Sequence, residues 1–193
     1  MAKTNTGLVE YCKAQLGMPY WYGGYGQFGT LALYNLLKKL YPSKYKWDYD
    51  PSHALRKVHD CLGLVEGYLW SKTVNDGDPV YIRDQDYNAD GAYNKATVKG
   101  TIATLPELPG VLVHKSGHVG VYIGSGKVIE ARGQKYGVVI TNVGDRGWEH
   151  WFQHPLITYI EPEKLDTLDV LKTLIKKIEA LPEYQELAKL MEE

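Results

Sequence analysis

Cys61 stands in the run His59-Asp60-Cys61-Leu62-Gly63-Leu64-Val65-Glu66-Gly67-Tyr68-Leu69-Trp70. Leu62, Val65 and Leu69 recur at spacings of three and four, the apolar stripe of a helix. That places Cys61 in the first turn, where unpaired N–H groups and the helix dipole favour an anion. Such a setting lowers a thiol pKa and makes a thiolate available near neutral pH. Gly63 and Gly67 share a face, and each costs about 1 kcal/mol against alanine in a helix interior. Two such glycines predict that another backbone packs closely there. A buried, inert thiol is the competing reading for any lone cysteine. Cys12 matches it, because it shares an apolar helical face with Leu8, Val9 and Leu16.

His118 opens the second chemically informative run, His118-Val119-Gly120-Val121-Tyr122-Ile123, followed by Gly124-Ser125-Gly126 and Lys127-Val128-Ile129-Glu130-Ala131. Two β-branched segments around a glycine turn read as a hairpin. Pairing them brings His118 and Glu130 to one end of adjacent strands. A carboxylate there accepts the Nδ1–H of the imidazole and leaves Nε2 to take a proton from a thiol. A surface His beside a surface Glu is the alternative. His114 and His118 are four apart, but that spacing holds a metal on a helix, and this segment reads as strand and loop. No metal site and no cofactor are expected.

The elements that must position these groups follow from the pattern. Residues Thr4 to Leu16 read as a first helix capped by Asn5 or Thr6. Gly17 to Gly26 is a loop dense in glycine and aromatics. Leu31 to Leu40 is a second helix, stopped before Pro42. Tyr41 to Ser52 reads as a surface loop, and a turn over His53 to Val58 leads to the Cys61 helix. An irregular stretch from Ser71 to Asp90 precedes a short helix over Asp90 to Lys99. Beyond Pro106 the texture becomes β: Val111–Val113, Val119–Ile123, Lys127–Ala131, Val138–Thr141 and a last strand, Leu156–Ile160. Helices first and a strand meander after them argue for α+β, with N-terminal helices packed on a C-terminal antiparallel sheet.

Composition narrows the partners. With 193 residues the chain suits one ordinary domain with an appendage. A net charge of −1 gives no reason to expect nucleic acid or an anionic membrane as partner. Two cysteines are too few for a disulfide scaffold. Sixteen Tyr and five Trp against two Phe favour a wet groove that stacks sugars or peptides. No apolar run approaches the ~20 residues of a membrane span. No charged and apolar leader pattern opens the chain, so the expectation is a protein kept in the cytoplasm of the producing cell until released.

Four segments in order resemble one family: Gly17-Met18-Pro19-Tyr20-Trp21-Tyr22-Gly23-Gly24, Asp60-Cys61-Leu62-Gly63-Leu64, Gly117-His118-Val119-Gly120-Val121-Tyr122-Ile123-Gly124 and Val128-Ile129-Glu130-Ala131. The set is similar to the NlpC-type family of papain-like bacterial and phage cell-wall peptidases, over roughly residues 7–160. The resemblance implies a papain-like NlpC-type fold. It implies Cys61 as nucleophile, His118 as base, Glu130 as the third polar residue, and Tyr20 beside the nucleophile as an oxyanion donor. Asp60 and Trp21 join Tyr20 as expected substrate contacts, with a plain helix-start charge as the alternative for Asp60. The implied substrate is the stem peptide of peptidoglycan, cut at the γ-linked bond between D-glutamate and a diamino acid, and the implied role that of a phage endolysin. An amidase with the same chemistry, a non-catalytic wall-binding module and a lipid acyltransferase of the same fold are the other readings.

Three departures stand out. Leu62 replaces the family's usual Ser, and Glu130 stands where His, Asn or Gln is usual. The segment between Tyr20 and Cys61 is long, which marks residues 27–57 as a helical insertion near the groove. The catalytic domain is expected over residues 1–161 and a helical tail over 162–193. In the tail Leu165, Leu168, Leu171, Ile175 and Ile178 form a stripe, Asp166 is the expected cap, and Tyr184 to Met191 read as a further helix. The tail either packs on the domain or serves a dimer or a wall-binding module.

Overall fold

The computed structural model describes residues 2–72, 79–161, 167–182 and 184. Contacts divide the chain into two units, residues 1–160 and 161–193. The first is α+β. Its helices are α1 (Asn5–Ala14), α2 (Leu31–Leu40), α3 (Gly63–Trp70) and α4 (Ala89–Lys95). Strands β1 (Tyr25–Phe28) and β2 (Lys57–His59) form a small antiparallel pair. A six-stranded antiparallel sheet holds β3 (Lys99–Thr101), β4 (Leu112–Lys115), β5 (His118–Gly124), β6 (Lys127–Ala131), β7 (Val138–Asn142) and β8 (His150–Phe152), in the order β3-β8-β4-β5-β6-β7.

Helices α1, α3 and α4 lie on one face of that sheet. Leu8 and Cys12 of α1 and Leu64 and Val65 of α3 pack with Leu112, Val119, Val121, Ile129 and Phe152 in one apolar cluster. Cys12 is fully buried there, and burial pushes its thiol pKa far up. The opposite face buries Val111, Val113, Tyr122, Val128 and Trp148. The two clusters follow from the period of two along β5. Val119 and Val121 face the helices, while His118, Gly120 and Tyr122 face the other way.

The cap of α1 is Thr4, not Asn5 or Thr6. Its hydroxyl accepts the Gly7 N–H at 3.1 Å. Asn5 is buried and spends its amide on the chain ends of two other segments, Pro109 O at 2.9 Å and the Ile160 backbone at 3.1 and 2.9 Å. The strand expected over Leu156–Ile160 does not form; only Thr158 bridges to Thr4. Its place in the sheet is taken by β8, three residues that the pattern did not mark. The stretch Tyr41–Ser52 is not merely a surface loop either. Tyr45 is buried with Trp21, Tyr34, Leu37 and Val58 in a third cluster, against which Trp47 and Tyr49 also pack.

Helix α3 is buried on all sides rather than along one stripe, since every residue from Gly63 to Trp70 is buried. A central helix of this kind needs small residues wherever another backbone crosses it. A Cβ on Gly63 would overlap the carbonyl oxygen of Gly24, and one on Gly67 would lie 2.7 Å from the Tyr25 carbonyl oxygen. The shared glycine face thus seats the Gly24–Tyr25 backbone, as the spacing predicts.

The second unit contains α5 (Thr167–Glu179), which carries Leu171, Ile175 and Ile178 at the expected spacing. Asp166 as its cap, and the helix over Tyr184 to Met191 beyond Tyr184 itself, lie outside the described residues. Among the described residues no helix is long and apolar enough to cross a membrane.

The Gly63 contact yields a test of the fold. Gly63→Ala should lower stability by about 2 kcal/mol or more, because backbone rather than a flexible side chain must yield. Gly144→Ala, where an added Cβ meets nothing within 4 Å, should stay within about 0.5 kcal/mol of the parent. Urea denaturation of both variants measures this. Equal stability of the two would show that the α3 approach is loose.

Candidate active site

Cys61 sits where β2 ends and α3 begins. The first helical hydrogen bond, Leu64 N–H to Asp60 C=O at 3.1 Å, already wraps Cys61 into the opening turn. The Asp60 side chain fixes that turn from both sides. One carboxylate oxygen accepts the Gly63 N–H at 2.7 Å and the other accepts the Gly23 N–H at 2.8 Å. The Asp60 N–H in turn donates to Gly24 O at 2.7 Å. Asp60 is therefore a clamp between the glycine-rich turn and the start of α3. It also lines a cleft of about 640 Å³ together with Cys61, Glu66 and Gly117.

The Cys61 thiol lies 4.0 Å from the Gly117 carbonyl oxygen. Burial, and next the neighbouring Asp60 charge, push its pKa up to about 12, against N–H groups that favour the thiolate. The expectation of a thiolate at neutral pH is overturned. The helix start does supply N–H groups, but Asp60 takes Gly63's and adds a negative charge beside the sulfur. The resting group is a thiol.

His118 is the first residue of β5. Its Nε2 lies 2.7 Å from Glu130 Oε2, and its ring stacks on Trp148 at 5.4 Å and 9°. The register Val121↔Ile129 and Tyr122↔Val128 sets Glu130 diagonally across from His118. Gly120 lies between them. A Cβ there would come within 2.5 Å of Val128 and 3.2 Å of the Trp148 ring, so this glycine admits the ring on which His118 lies. The hairpin pairs the two residues as the sequence predicts, but through Nε2 rather than Nδ1. The diagonal offset is the reason: the carboxylate meets the far nitrogen of the ring. With Nε2–H donated to Glu130, the neutral imidazole has its lone pair on Nδ1. Among the described residues no hydrogen bond joins Cys61 to His118; the thiol meets the backbone of the adjacent Gly117 instead.

Glu130 is fully buried. Oε1 accepts from the Thr141 hydroxyl at 2.8 Å and from Arg146 Nε at 2.6 Å, while Oε2 accepts from His118 and from Arg146 Nη2 at 3.0 Å. Burial works against its charge, but the hydrogen bonds from His118, Arg146 and Thr141 outweigh it and hold the carboxyl at about 2. Neither Thr141 nor Arg146 was marked by the sequence pattern.

The remaining expected contacts separate. Tyr20 bridges to His59, the residue before Asp60. Burial first, then the charges of Asp60 and Cys61, push its phenol pKa up. It therefore stays a neutral donor near the sulfur. Trp21 is not a substrate contact. It is buried at the centre of the third cluster, against Tyr34, Tyr45 and Trp47, with its indole N–H on His53 Nδ1 at 3.2 Å. His114 and His118 face opposite sides of the sheet, because Lys115 pairs with His118 and His114 with Val119. His114 binds Asp90 at 2.8 Å and stacks on Tyr93.

The cleft has an apolar wall and an acidic one. Leu33, Leu36 and Leu40 of α2 form the first, so the segment expected as an insertion does border the groove. Glu66, Asp86 and Asp90 lie along the other side. Glu66 escaped the sequence reading, although a lone charge within an otherwise apolar helical run was its signal. Burial first, then the Asp60 charge, push its pKa up to about 9, while the Tyr87 N–H donates to it at 3.2 Å.

The chain matches no family model and no curated protein. Its fold is similar to solved structures of other proteins. The peptidoglycan hydrolase RipB from Mycobacterium tuberculosis shares 20% identity over 80% of this chain and 65% of that one, with a TM-score of 0.47. The NlpC/p60 domain of the peptidoglycan hydrolase SagA shares 17% over 78% of this chain and 98% of that one, at 0.46. The P60 domain of a Mycobacterium avium subspecies paratuberculosis antigen shares 21% over 80% and 96%, at 0.47.

Glu66 supplies a stability test. A carboxyl whose pKa is raised from 4.5 to about 9 on folding keeps its proton longer in the native state. Its contribution is complete below the unfolded pKa and is lost as pH rises toward about 9, at up to about 1.4 kcal/mol per pH unit. Glu66→Gln should flatten the fall in stability between those limits and be the more stable protein at pH 8. Urea midpoints measured across that range check this. Parallel curves for the two proteins would mean that Glu66 ionises normally.

Proposed function

We propose that this chain is an NlpC-type, papain-like cysteine peptidase that cuts the stem peptide of peptidoglycan. The observation that carries the reading is the pairing at the head of the cleft. Cys61 lies beside Gly117, and the next residue is His118, whose imidazole is held by buried Glu130. A thiol, a base and an orienter are the parts that nucleophilic acyl transfer requires. The ordered sequence segments named above support the same reading.

In this mechanism the Cys61 proton passes to His118 Nδ1, and the sulfur attacks the amide carbonyl carbon. The oxyanion of the tetrahedral intermediate takes hydrogen bonds from the Cys61 N–H and the Tyr20 hydroxyl. His118 then returns its proton to the leaving amine, the C–N bond breaks and a thioester remains. Water, deprotonated by His118, hydrolyses the thioester and regenerates the thiol. Glu130 holds the imidazole throughout and stabilises its charged form. With burial and Asp60 pushing the thiol up to about 12, the proton passes to His118 as the sulfur attacks the bound carbonyl, without a free thiolate standing in the resting site.

The bond assigned is the γ-D-glutamyl link to the diamino acid, and the role assigned is an endolysin's, acting on the wall after release. Cys61→Ala should abolish the clearing of a cell-wall suspension, and Cys12→Ala should leave it unchanged. Mass spectrometry of the fragments identifies the bond. New amino termini on the diamino acid are the expected result, whereas intact stem peptides freed from sugar would make the enzyme an amidase. Substantial lysis by Cys61→Ala would remove Cys61 from the mechanism. Activity should persist in EDTA, and its reversible loss there would reopen a metal mechanism.

A further inference from the structure

Arg146 touches neither the cleft nor Cys61, yet it makes two of the four hydrogen bonds to the carboxylate that holds His118. We propose that Arg146 is a positioning residue that makes the orienter of His118 an ion pair rather than a free carboxylate, and so sets the proton affinity of the imidazole. The proposal rests on the cysteine-peptidase reading for its catalytic consequence, but not for the electrostatic one.

The argument is one of charge and reach. A lone carboxylate 2.7 Å from an imidazole nitrogen strongly favours the imidazolium. Arg146 places a permanent positive charge against both oxygens of the same carboxylate, in the side-on geometry a guanidinium prefers. Seen from His118, the two charges largely cancel, while the hydrogen bond that orients the ring survives. An imidazole that is too basic stays protonated and cannot accept the thiol proton. One that is too acidic cannot protonate the leaving amine.

The other groups around His118 do not supply this balance. From β4, the Lys115 ammonium lies over the far ring partner, Trp148, at 5.3 Å and donates to the Arg146 carbonyl oxygen at 2.6 Å. Thr141 of β7 brings a neutral hydroxyl. Trp148 brings an uncharged ring. From the turn before β7, the Tyr136 phenol acts on Arg146 rather than on His118, favouring the guanidinium's charge. On the cleft side stands the Cys61 thiol with Asp60 behind it. Glu130 is thus the ionised group bonded to the ring, and Arg146 the ionised group bonded to Glu130.

The test reads His118 directly. Its imidazole resonances, assigned by their loss in His118→Gln, are followed by NMR against pH in the whole chain. In Arg146→Ala the titration midpoint should rise by about one pH unit or more, because the carboxylate is left uncompensated. Arg146→Lys should bring it most of the way back. Glu130→Gln, which leaves the guanidinium alone, should lower it. Glu130→Gln with Arg146→Met removes both charges and should return it close to the parent value. If Arg146→Ala does not fold, the last two variants still decide: a common midpoint for them overturns the proposal. So does an unshifted midpoint in a folded Arg146→Ala. The acid limb of the rate against pH should move with the midpoint. A parent protein that cuts no wall material would defeat the peptidase reading and leave the titration result standing.

Discussion

A carboxyl removed from water must either find donors enough for its charge or keep its proton, and this constraint shapes the site. Glu130 takes the first course, with four donors from three side chains. Glu66 takes the second, with one backbone N–H and a pKa raised by burial. Asp60 lies between them. It has backbone donors on both oxygens, yet burial still raises its pKa. The ordering matters because Asp60 and Glu66 line the same cleft as Cys61. Were Glu66 ionised as well as Asp60, the negative field on Cys61 would grow and its proton would be harder still to remove.

Those donors are where they are because backbones approach closely. Gly63 lets the Gly24 carbonyl reach α3, which puts the Gly23 N–H on Asp60. Gly120 lets Trp148 lie under His118, with Glu130 reached from the next strand. In each case a missing side chain positions a polar one. The central helix and the central hairpin are thereby locked by packing alone, which is the preorganisation that the proposed proton transfer would need.

What could be read from the sequence was whatever a local period encodes. The glycine pair on α3, the hairpin joining His118 to Glu130, and the bounds of α2 all depend on residues within about a dozen positions of one another. The three-residue strands β3 and β8 are too short to show a period. Trp21 misled for a different reason. Beside glycines and tyrosines it reads as a groove residue, but its burial is provided by Tyr45 and Trp47, far along a loop whose composition looks exposed. Arg146 had no signal at all, since its partner lies sixteen residues back, across a loop, strand β7 and a further turn. Asn5 and Thr4 show how tertiary demand overrides a local choice: both residue types cap well, and the buried network with Pro109 and Ile160 claimed Asn5.

The pKa of Cys61 bears on how such a site avoids idle chemistry. A standing thiolate in a water-filled cleft is open to oxidation and to any small electrophile. Here burial and the Asp60 charge push the thiol pKa up, while Glu130 and Trp148 hold the His118 ring. In the mechanism proposed above, deprotonation waits for a bound substrate whose developing oxyanion takes the Cys61 N–H. In that mechanism the attraction between sulfur anion and imidazolium must outweigh the desolvation of both ions, and the cost imposed by Asp60 is limited by the two backbone N–H groups that already draw on its charge. Under the proposed function, substrate binding and thiol activation are then one step.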